Sequence, residues 1–586
     1  MRSEDLGLES AERAAAIVGI ASIMPDAPDN DAFWRNVLSG KDSIREVPVD
    51  RWDPRDYYDP EPTAVDKTYC KIGAFVQGFS FDSARFRIPP RVAAAMDMAQ
   101  QWALVLARSA LQDAGHPDSG MDPERIGVVL GNALGGELHE RTSMRVMSPE
   151  VIHALEEVPE FAALPEATRR ALTANLFARI RTRLPPITED SMPGELGNVI
   201  AGRITNALDL RGINFTADAA CASSLAALDA ALAALAEKRV DAVITGGVDR
   251  TMAPSTFVKF AKIGALSKDG SRPFDAGANG FVMGEGGALF VLRRLADAER
   301  AGQKIYAVVR SVGAASDGKG KGITAPNPAG QLLALKRAYQ IARFSPATLG
   351  LVEAHGTSTR VGDVAEVETL SNAFGGLNLP ARSIGLGSVK SQIGHLKSGA
   401  GAAGLLKAAL ALHHKVLPPT INVREPNPAI PFDKLPFFLV DRAQPWERPA
   451  SGVRRAAVSS FGFGGTNFHV VLEEHVPGLL TRKVQVPSGA LEAPRPTQAA
   501  ASASAPSPAA PTGRFNLVAG AQSAAELKKR LAAAIQSARS GAAPQIRAED
   551  LAAPERIAFD YGSPAELEQR GKDALAALEK DLPPMW

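Results

Sequence analysis

Through the first 475 residues, short β-branched runs recur: "AAIVGIAS", "RIGVVLGNA", "VDAVITGGVD", "ALFVLRRL", "YAVVRSVGA", "LGLVEAHG", "SIGLGSVK" and "AAVSSFGFGGTNFHVVLEE". Between many of them lie segments of helical period, such as "RVAAAMDMAQQWALVLARSALQDAG" and "QLLALKRAYQIARF". Near-continuous apolar strands alternating with helices call for α/β layering, with mainly parallel sheets buried on both faces. At 586 residues the chain exceeds what one core supports, so several domains, or one large domain with appendages, are expected.

The pattern breaks in three places. Residues 135–193 are charged and helical in period with no strand signal, which reads as a helical insertion beside a core spanning 14–475 and following a short tail, 1–13. Residues 476–513 include "VPSGALEAPRPTQAAASASAPSPAAPT", which has almost nothing to bury and reads as a linker. From 514 to 586 an internal repeat appears, strand, small loop, Ser-x-x-Glu, helix, with Ser523 and Glu526 recurring as Ser563 and Glu566. That spacing is a capping box, and Pro564 stands at a first helical position where its missing N–H costs nothing. The module should form a small βαβα connector, and the ending "DLPPMW" reads as a cut within a longer polypeptide.

Charge excludes some classes. Lys plus Arg total 65 against 64 for Asp plus Glu, so neither nucleic acid nor an anionic membrane is the expected partner. No apolar stretch approaches the roughly 18 residues of a membrane span, and the acidic N-terminus does not read as a signal peptide. Two cysteines, Cys70 and Cys221, make neither a disulfide framework nor a zinc site, which points to the cytosol.

Cys221 sits in "FTADAACASSLAALDAALAAL", after a strand-like run and at the start of a helical pattern. Free backbone N–H groups and the helix dipole there favour an anion, which predicts a lowered thiol pKa. Position alone leaves a buried structural cysteine about equally good. Cys70, in "DKTYCKIGAF", has lysines nearby but no helix start, and reads as incidental. Of nine histidines, His355 and His395 fall where apolar runs give way to small-residue loops, the usual place for a site in an α/β protein. His413, His414, His469 and His475 read as solvated or hydrogen-bonded. No third ligand stands at a ligand-like spacing, so no metal is expected. "GAGAAG", Gly399 to Gly404, matches the letters of a dinucleotide loop but follows no strand.

Taken together and in this order, "DAACASSL", "EAHGTSTRVGD", "GSVKSQIGHLKSGAGAAG" and "SSFGFGGTN" resemble the β-ketoacyl synthases, from about Ala14 to Glu474. The resemblance implies a thiolase-like fold of two related halves in five layers, αβαβα. It also implies a homodimer without bound cofactor, acting on substrates carried on the phosphopantetheine of an acyl carrier protein. By the same resemblance, Cys221 takes the acyl chain, and His355 and His395 hold the malonyl carbonyl. Backbone N–H groups of Cys221 and Phe463 form an oxyanion hole, Phe463 also gating the pocket. Thr357 and Thr359 bind the pantetheine arm, unless they only stabilise their loop. Lys390 organises the charge, paired with an acid such as Glu285, while Asp363 and Glu366 brace the His355 loop.

Ala219 and Ala222 depart from the commonest form of the cysteine motif, which has Thr and Ser there. This variant is similar to synthases of polyunsaturated fatty acid and iterative polyketide systems, in which a linker domain like the 514–586 module precedes an acyltransferase. Alternatives are a ketosynthase of enediyne or glycolipid type, and a non-catalytic chain-length factor, which would have lost the cysteine. A thiolase would carry a second cysteine in the "FGFGG" loop, and a chain-initiating enzyme would have Asn in place of His395.

Overall fold

The computed structural model describes residues 13–320, 322–481, 515–539, 549–550, 553–561 and 563–579. Residues 1–12 of the expected tail and 482–513 of the expected linker lie outside the described residues. The chain divides into two compact units, 1–484 and 485–586.

The first unit is organised by eleven strands: β1 (Ala15–Ile23), β2 (Ile126–Gly131), β3 (Asn214–Ala217), β4 (Ala242–Asp249), β5 (Gly286–Arg294), β6 (Ala307–Ser316), β7 (Leu351–Glu353), β8 (Ile384–Gly387), β9 (Phe437–Leu439), β10 (Arg455–Gly462) and β11 (Thr466–Glu473). Their spatial order is β9-β8-β7-β10-β11-β6-β1-β5-β4-β2-β3.

This order contains the same pattern twice. In β3-β2-β4-β5-β1 the first two neighbouring pairs are parallel and the next two antiparallel. In β8-β7-β10-β11-β6 the sequence of parallel and antiparallel pairings is identical, and each set of five uses its strands in the same chain order. The halves meet where β1 pairs with β6 between Ala15↔Val309 and Ile17↔Ala307.

The sheet is therefore mixed, which corrects the mainly parallel arrangement expected from the apolar runs. A strand covered on both faces reads as a continuous apolar run whichever way its neighbour points, so the sequence pattern cannot give strand direction. The run expected as one strand at "AAVSSFGFGGTNFHVVLEE" is the hairpin β10–β11, turning at Gly464 and Gly465, whose φ angles are +92° and +76°.

Six helices complete the halves: α1 (Met98–Asp113), α2 (Asn198–Leu208), α3 (Ser223–Ala236), α4 (Pro328–Ala342), α5 (Gly362–Phe374) and α6 (Ala400–His414). α1 packs on α2 and α4 on α5, whereas α3 and α6 pack on each other and on strands of both halves. Every residue of α6 from Ala400 to Leu412 is buried, as a helix apolar on all sides must be. Small residues permit this closeness: a Cβ on Gly401 would stand 2.7 Å from Leu225 Cγ. The layering is thus helix, strand, helix, strand, helix, with α3 and α6 in the middle.

Residues 138–195 form helices Leu138–Val146, Ser148–Glu156, Pro159–Ala162, Glu166–Arg183 and Ser191–Glu195, with no described strand. In the second unit β12 (Phe515–Ala521) pairs antiparallel with β13 (Glu555–Tyr561). α7 (Ala524–Arg539) and α8 (Pro564–Glu579) pack beside them over a core including Leu527, Leu531, Phe559 and Leu567. Ser523 Oγ accepts from Glu526 N at 3.4 Å and Ser563 Oγ from Glu566 N at 3.2 Å, which caps both helices.

Candidate active site

The repeated topology places Cys221 and His395 at equivalent points, each in the segment joining the third strand of its half to a central helix. β3 ends at Ala217, and the chain bends sharply at Ala220, whose φ of +49° is costly for a residue with a Cβ. Side-chain hydrogen bonds hold the bend, beginning with Ala220 N, which donates to Asp218 Oδ1 at 2.9 Å. Ser223 Oγ accepts from Ala219 N at 2.9 Å and donates to Ala220 O at 2.6 Å. Thr466 Oγ1 donates to Ala219 O at 2.9 Å, and Ser460 Oγ donates to Cys221 O at 2.7 Å. A 3-10 turn, Ala220–Ala222, then runs directly into α3, so Cys221 stands at a helix start.

The thiol faces a cavity of about 260 Å³ whose lining includes His355, His395, Thr357, Thr359 and Phe463. Burial pushes the Cys221 thiol up to about 11; the Lys390 charge and the neighbouring Phe463 N–H pull it down without prevailing. This corrects the lowered pKa expected from the helix start, because desolvation inside the cavity outweighs the groups that favour thiolate.

The two histidines are fixed in one tautomer. Phe461 N donates to His355 Nδ1 at 3.3 Å, and Lys397 N donates to His395 Nδ1 at 2.9 Å. With Nδ1 accepting in both rings, Nε2 carries the hydrogen. Burial, with Lys390 as the next cause, holds both imidazoles well below their ordinary pKa, so both are neutral. Their ring centroids are 5.6 Å apart, edge to face. Phe281 lies 5.2 Å from the His395 ring and walls the cavity.

Lys390 Nζ donates to His355 O at 2.6 Å. Burial lowers its pKa, while Glu353 and Glu366 are the acids that most favour its charge. Its expected partner, Glu285, is elsewhere: that carboxylate pairs with Arg51, lies 3.2 Å from Arg250 and accepts from Val76 N at 2.8 Å. These partners hold Glu285 outside the lining of the cavity.

Glu366 accepts from His355 N at 2.7 Å and Gly356 N at 2.8 Å; Asp363 accepts from Phe274 N at 2.7 Å and Ser358 N at 3.1 Å. Both carboxyls are pushed up to about 7 by burial against those backbone bonds. Thr357 and Thr359 hydroxyls lie 3.2 Å apart. Phe463 projects from the β10–β11 turn, 37% exposed. The turn comes close to the cysteine bend because Gly462 has no side chain: a Cβ there would stand 2.4 Å from Ala219 O.

Ser223, Ser460 and Thr466 were not singled out by sequence, although two of them lie inside "SSFGFGGTN". Nor was Asp317, which accepts from Asn467 Nδ2 at 2.7 Å and donates its N–H to Gly465 O at 2.9 Å, tying down the turn. Cys70 lies apart in another apolar cluster, its thiol pushed up to about 12 by burial. His469 is buried between Tyr339 OH at 3.1 Å and Ser459 Oγ at 3.0 Å. Among the described residues, no group of three or more His, Cys, Asp or Glu could hold a metal ion, and no helix is long and apolar enough to cross a membrane.

Two stacked halves, one cysteine at a helix start and two neutral histidines over the same cavity define a carbon–carbon bond-forming condensing enzyme. Residues 12–298 match the β-ketoacyl synthase N-terminal domain, 306–424 its C-terminal domain and 426–542 the ketoacyl-synthetase C-terminal extension, and the chain belongs to the β-ketoacyl synthase family.

It is 39% identical over 471 residues to a polyunsaturated fatty acid synthase chain of a Thraustochytrium species, covering 79% of this chain and 16% of that relative. To a phenolphthiocerol/phthiocerol polyketide synthase chain of Mycobacterium tuberculosis it is 37% identical over 462 residues, 78% of this chain and 27% of that one. The chain thus spans about a quarter or less of these relatives. An oxazolomycin ketosynthase domain from Streptomyces albus has a similar structure, with a TM-score of 0.68 and 32% identity over 97% of this chain and 89% of that one. The fold is therefore the thiolase-like one, and the chain is a ketosynthase of the polyketide and polyunsaturated fatty acid synthase kind.

Proposed function

We propose that this chain extends an acyl chain by decarboxylative Claisen condensation with a malonyl thioester on an acyl carrier protein, using Cys221, His355 and His395 as catalytic residues. The observation that carries this reading is the pair of fixed tautomers, whose two Nε2–H groups belong to the cavity that holds the thiol.

Cys221 sulfur attacks the carbonyl carbon of an acyl thioester, the carrier's C–S bond breaks, and the thiol proton leaves with the carrier thiol. Malonyl thioester then places its carbonyl oxygen between the two Nε2–H donors. The bond to the carboxylate breaks, CO2 departs, and the electron pair becomes an enolate whose charge the donors meet. A fixed donor acts most where charge develops, and a neutral imidazole supplies it without giving up a proton. The enolate carbon attacks the Cys221 thioester. The second oxyanion falls to the N–H groups of Cys221 and Phe463. The C–S bond to Cys221 breaks, the thiolate takes a proton from solvent, and the β-ketoacyl chain stays on the carrier.

Thr357 and Thr359 line the entry and suit the pantetheine arm. Lys390, held on the His355 carbonyl, keeps positive charge beside the thiol and helps keep the imidazoles neutral; Glu366 and Asp363 fix the His355 loop. A homodimer is supported by the free edge of β3, where Phe215 is 39% exposed beside the cysteine bend. The unpaired cysteines support a reducing, cytosolic setting. The Ala219 and Ala222 variant supports an iterative polyketide or polyunsaturated fatty acid system, with an acyltransferase beyond the second unit.

Intact-mass measurement after incubation with an acyl donor and malonyl-carrier protein tests the reading. Acyl mass on Cys221, absent in Cys221→Ala, is expected; acylation of Cys221→Ala would defeat the nucleophile assignment. Absence of condensation by the wild-type chain would favour the chain-length-factor alternative.

A further inference from the structure

Two residues after His395, Lys397 stands in a left-handed conformation with φ +48°, unfavourable for any residue with a Cβ. Such strain persists only where the surroundings over-determine it. The Lys397 side chain shows how this is done. A lysine ammonium ordinarily reaches solvent, yet Lys397 is 5% exposed. Its Nζ donates to Gly284 O at 2.6 Å and lies 3.1 Å from Asp249 Oδ1.

Asp249, wholly buried at the end of β4, grips the same turn a second time. It accepts from Ser398 Oγ at 2.8 Å and from Ser398 N at 3.2 Å, and Thr251 N donates to its other oxygen at 2.9 Å. Desolvation offsets much of the attraction in a buried ion pair, so stability alone does not account for this one.

The pair acts on the Lys397 amide. His395 N donates to Val282 O at 2.7 Å and Gly284 N to His395 O at 3.0 Å, while Lys397 Nζ returns to Gly284 O. Backbone and side chain are thus fastened to one short stretch, residues 282–284. The left-handed turn at Lys397 then lets its N–H donate to His395 Nδ1 at 2.9 Å.

We propose that Lys397 is a positioning residue for decarboxylation: its side chain, pinned by Asp249 and Gly284 O, holds a left-handed backbone whose N–H keeps His395 an Nε2–H donor. This role deepens the condensing reading above and rests on it. With the pins removed, the strained residue relaxes, its N–H leaves Nδ1, and the ring is free to carry its hydrogen there instead of on Nε2. The Lys397 charge works in the same direction, since an ammonium beside the ring opposes an imidazolium. Lys390 and His355 also bear on the ring, while Asp249, Glu285 and Cys221 bear on Lys397.

CO2 release from malonyl-carrier protein by Cys221→Ala, followed against pH, tests this with two added substitutions. Lys397→Met keeps the side-chain length and loses the pins. Lys397→Gly loses them too but adopts the left-handed conformation freely. Both leave Asp249 without its ammonium, and Gly deletes more of the side chain, so any advantage of Gly over Met comes from the backbone. Lys397→Met is expected to lower release about tenfold or more, short of the loss of about 10²–10³-fold for a removed donor, and to give it a midpoint in pH. Lys397→Gly should lose less and keep the flat profile. With Cys221 present, Lys397→Met should still acylate at the wild-type rate. Release by Lys397→Met equal to that of Cys221→Ala alone overturns the proposal, as does a Gly variant no better than the Met one, or a parallel loss of acylation. Absence of release by Cys221→Ala itself would instead overturn the condensing reading.

Discussion

The backbone N–H of Lys397 donates to His395 Nδ1 at 2.9 Å, and this bond decides what His395 can do. An imidazolium would carry hydrogen on both ring nitrogens and set Nδ1–H against the Lys397 N–H. The ring is therefore held as a neutral donor through Nε2. His395→Ala should acylate at Cys221 at the wild-type rate, while condensation falls about 10²–10³-fold, the loss typical of one oxyanion donor. Mass spectrometry of the acyl-enzyme and product assay on the same sample check this, and parallel loss of both steps would contradict it.

Decarboxylation should be insensitive to pH from neutrality to well under 6.5, since both imidazoles are depressed by burial and Lys390. Below 6.5 the unfolded chain binds protons that these folded rings refuse, so their contribution to stability is full above 6.5 and declines as pH falls toward the folded pKa. His469, held down to about 3 by burial, adds in the same direction. The raised carboxyls of Asp363 and Glu366 act oppositely between their unfolded values and about 7, so activity is the cleaner readout. A decarboxylation profile with a midpoint near 6.5 would show a titrating histidine.

With its thiol pushed up to about 11, Cys221 should alkylate with iodoacetamide at a rate that rises continuously through pH 9. Lys390→Met removes the foremost group favouring thiolate and should slow alkylation further. A plateau below pH 8 in the wild type would indicate a preformed thiolate.

Gly462→Ala would place a Cβ 2.4 Å from both Ala219 O and Thr466 Oγ1. Overpacking of this kind costs about 1–3 kcal/mol. Relief requires the Phe463 loop or the cysteine bend to move, so acylation should slow more than tenfold while the thermal transition stays cooperative. Normal acylation would show that the Phe463 N–H is not needed at the sulfur.

Glu285→Gln separates two charge clusters. It leaves Arg51 without its buried carboxylate partner, while Arg250 keeps Glu137 at 2.7 Å, and should cost about 3–5 kcal/mol in denaturant unfolding. The pH profile of Cys221 alkylation should stay in place, because Lys390 answers to Glu353 and Glu366 instead. A shifted profile would restore Glu285 as the partner of Lys390.

Most strands of both halves were legible because they are apolar runs bounded by turns, whereas β3, half exposed, is not such a run; the small βαβα unit was legible because its capping boxes repeat. Strand direction was not, since a run buried on both faces looks the same in either orientation. Cys221, His355 and His395 could be named from their motifs. The sulfur's pKa could not, because it depends on how deeply the cavity is closed by Phe281 and Phe463, residues more than fifty positions away. The Lys390–Glu285 pairing failed for a related reason: Glu285 is taken up by Arg51 and the Val76 N–H, which lie far from it in the sequence. Ser460 and Thr466 act on the cysteine bend across the chain, and their hydroxyls read locally as ordinary strand residues.

The central claim is that two neutral Nε2–H donors stabilise the enolate beside Cys221. Release of CO2 from malonyl-carrier protein by Cys221→Ala tests it most directly, because decarboxylation is then observed without acylation. The account predicts continuing CO2 release by Cys221→Ala and a fall of about 10²-fold or more when His395→Ala is added. Equal release by the two variants would contradict it.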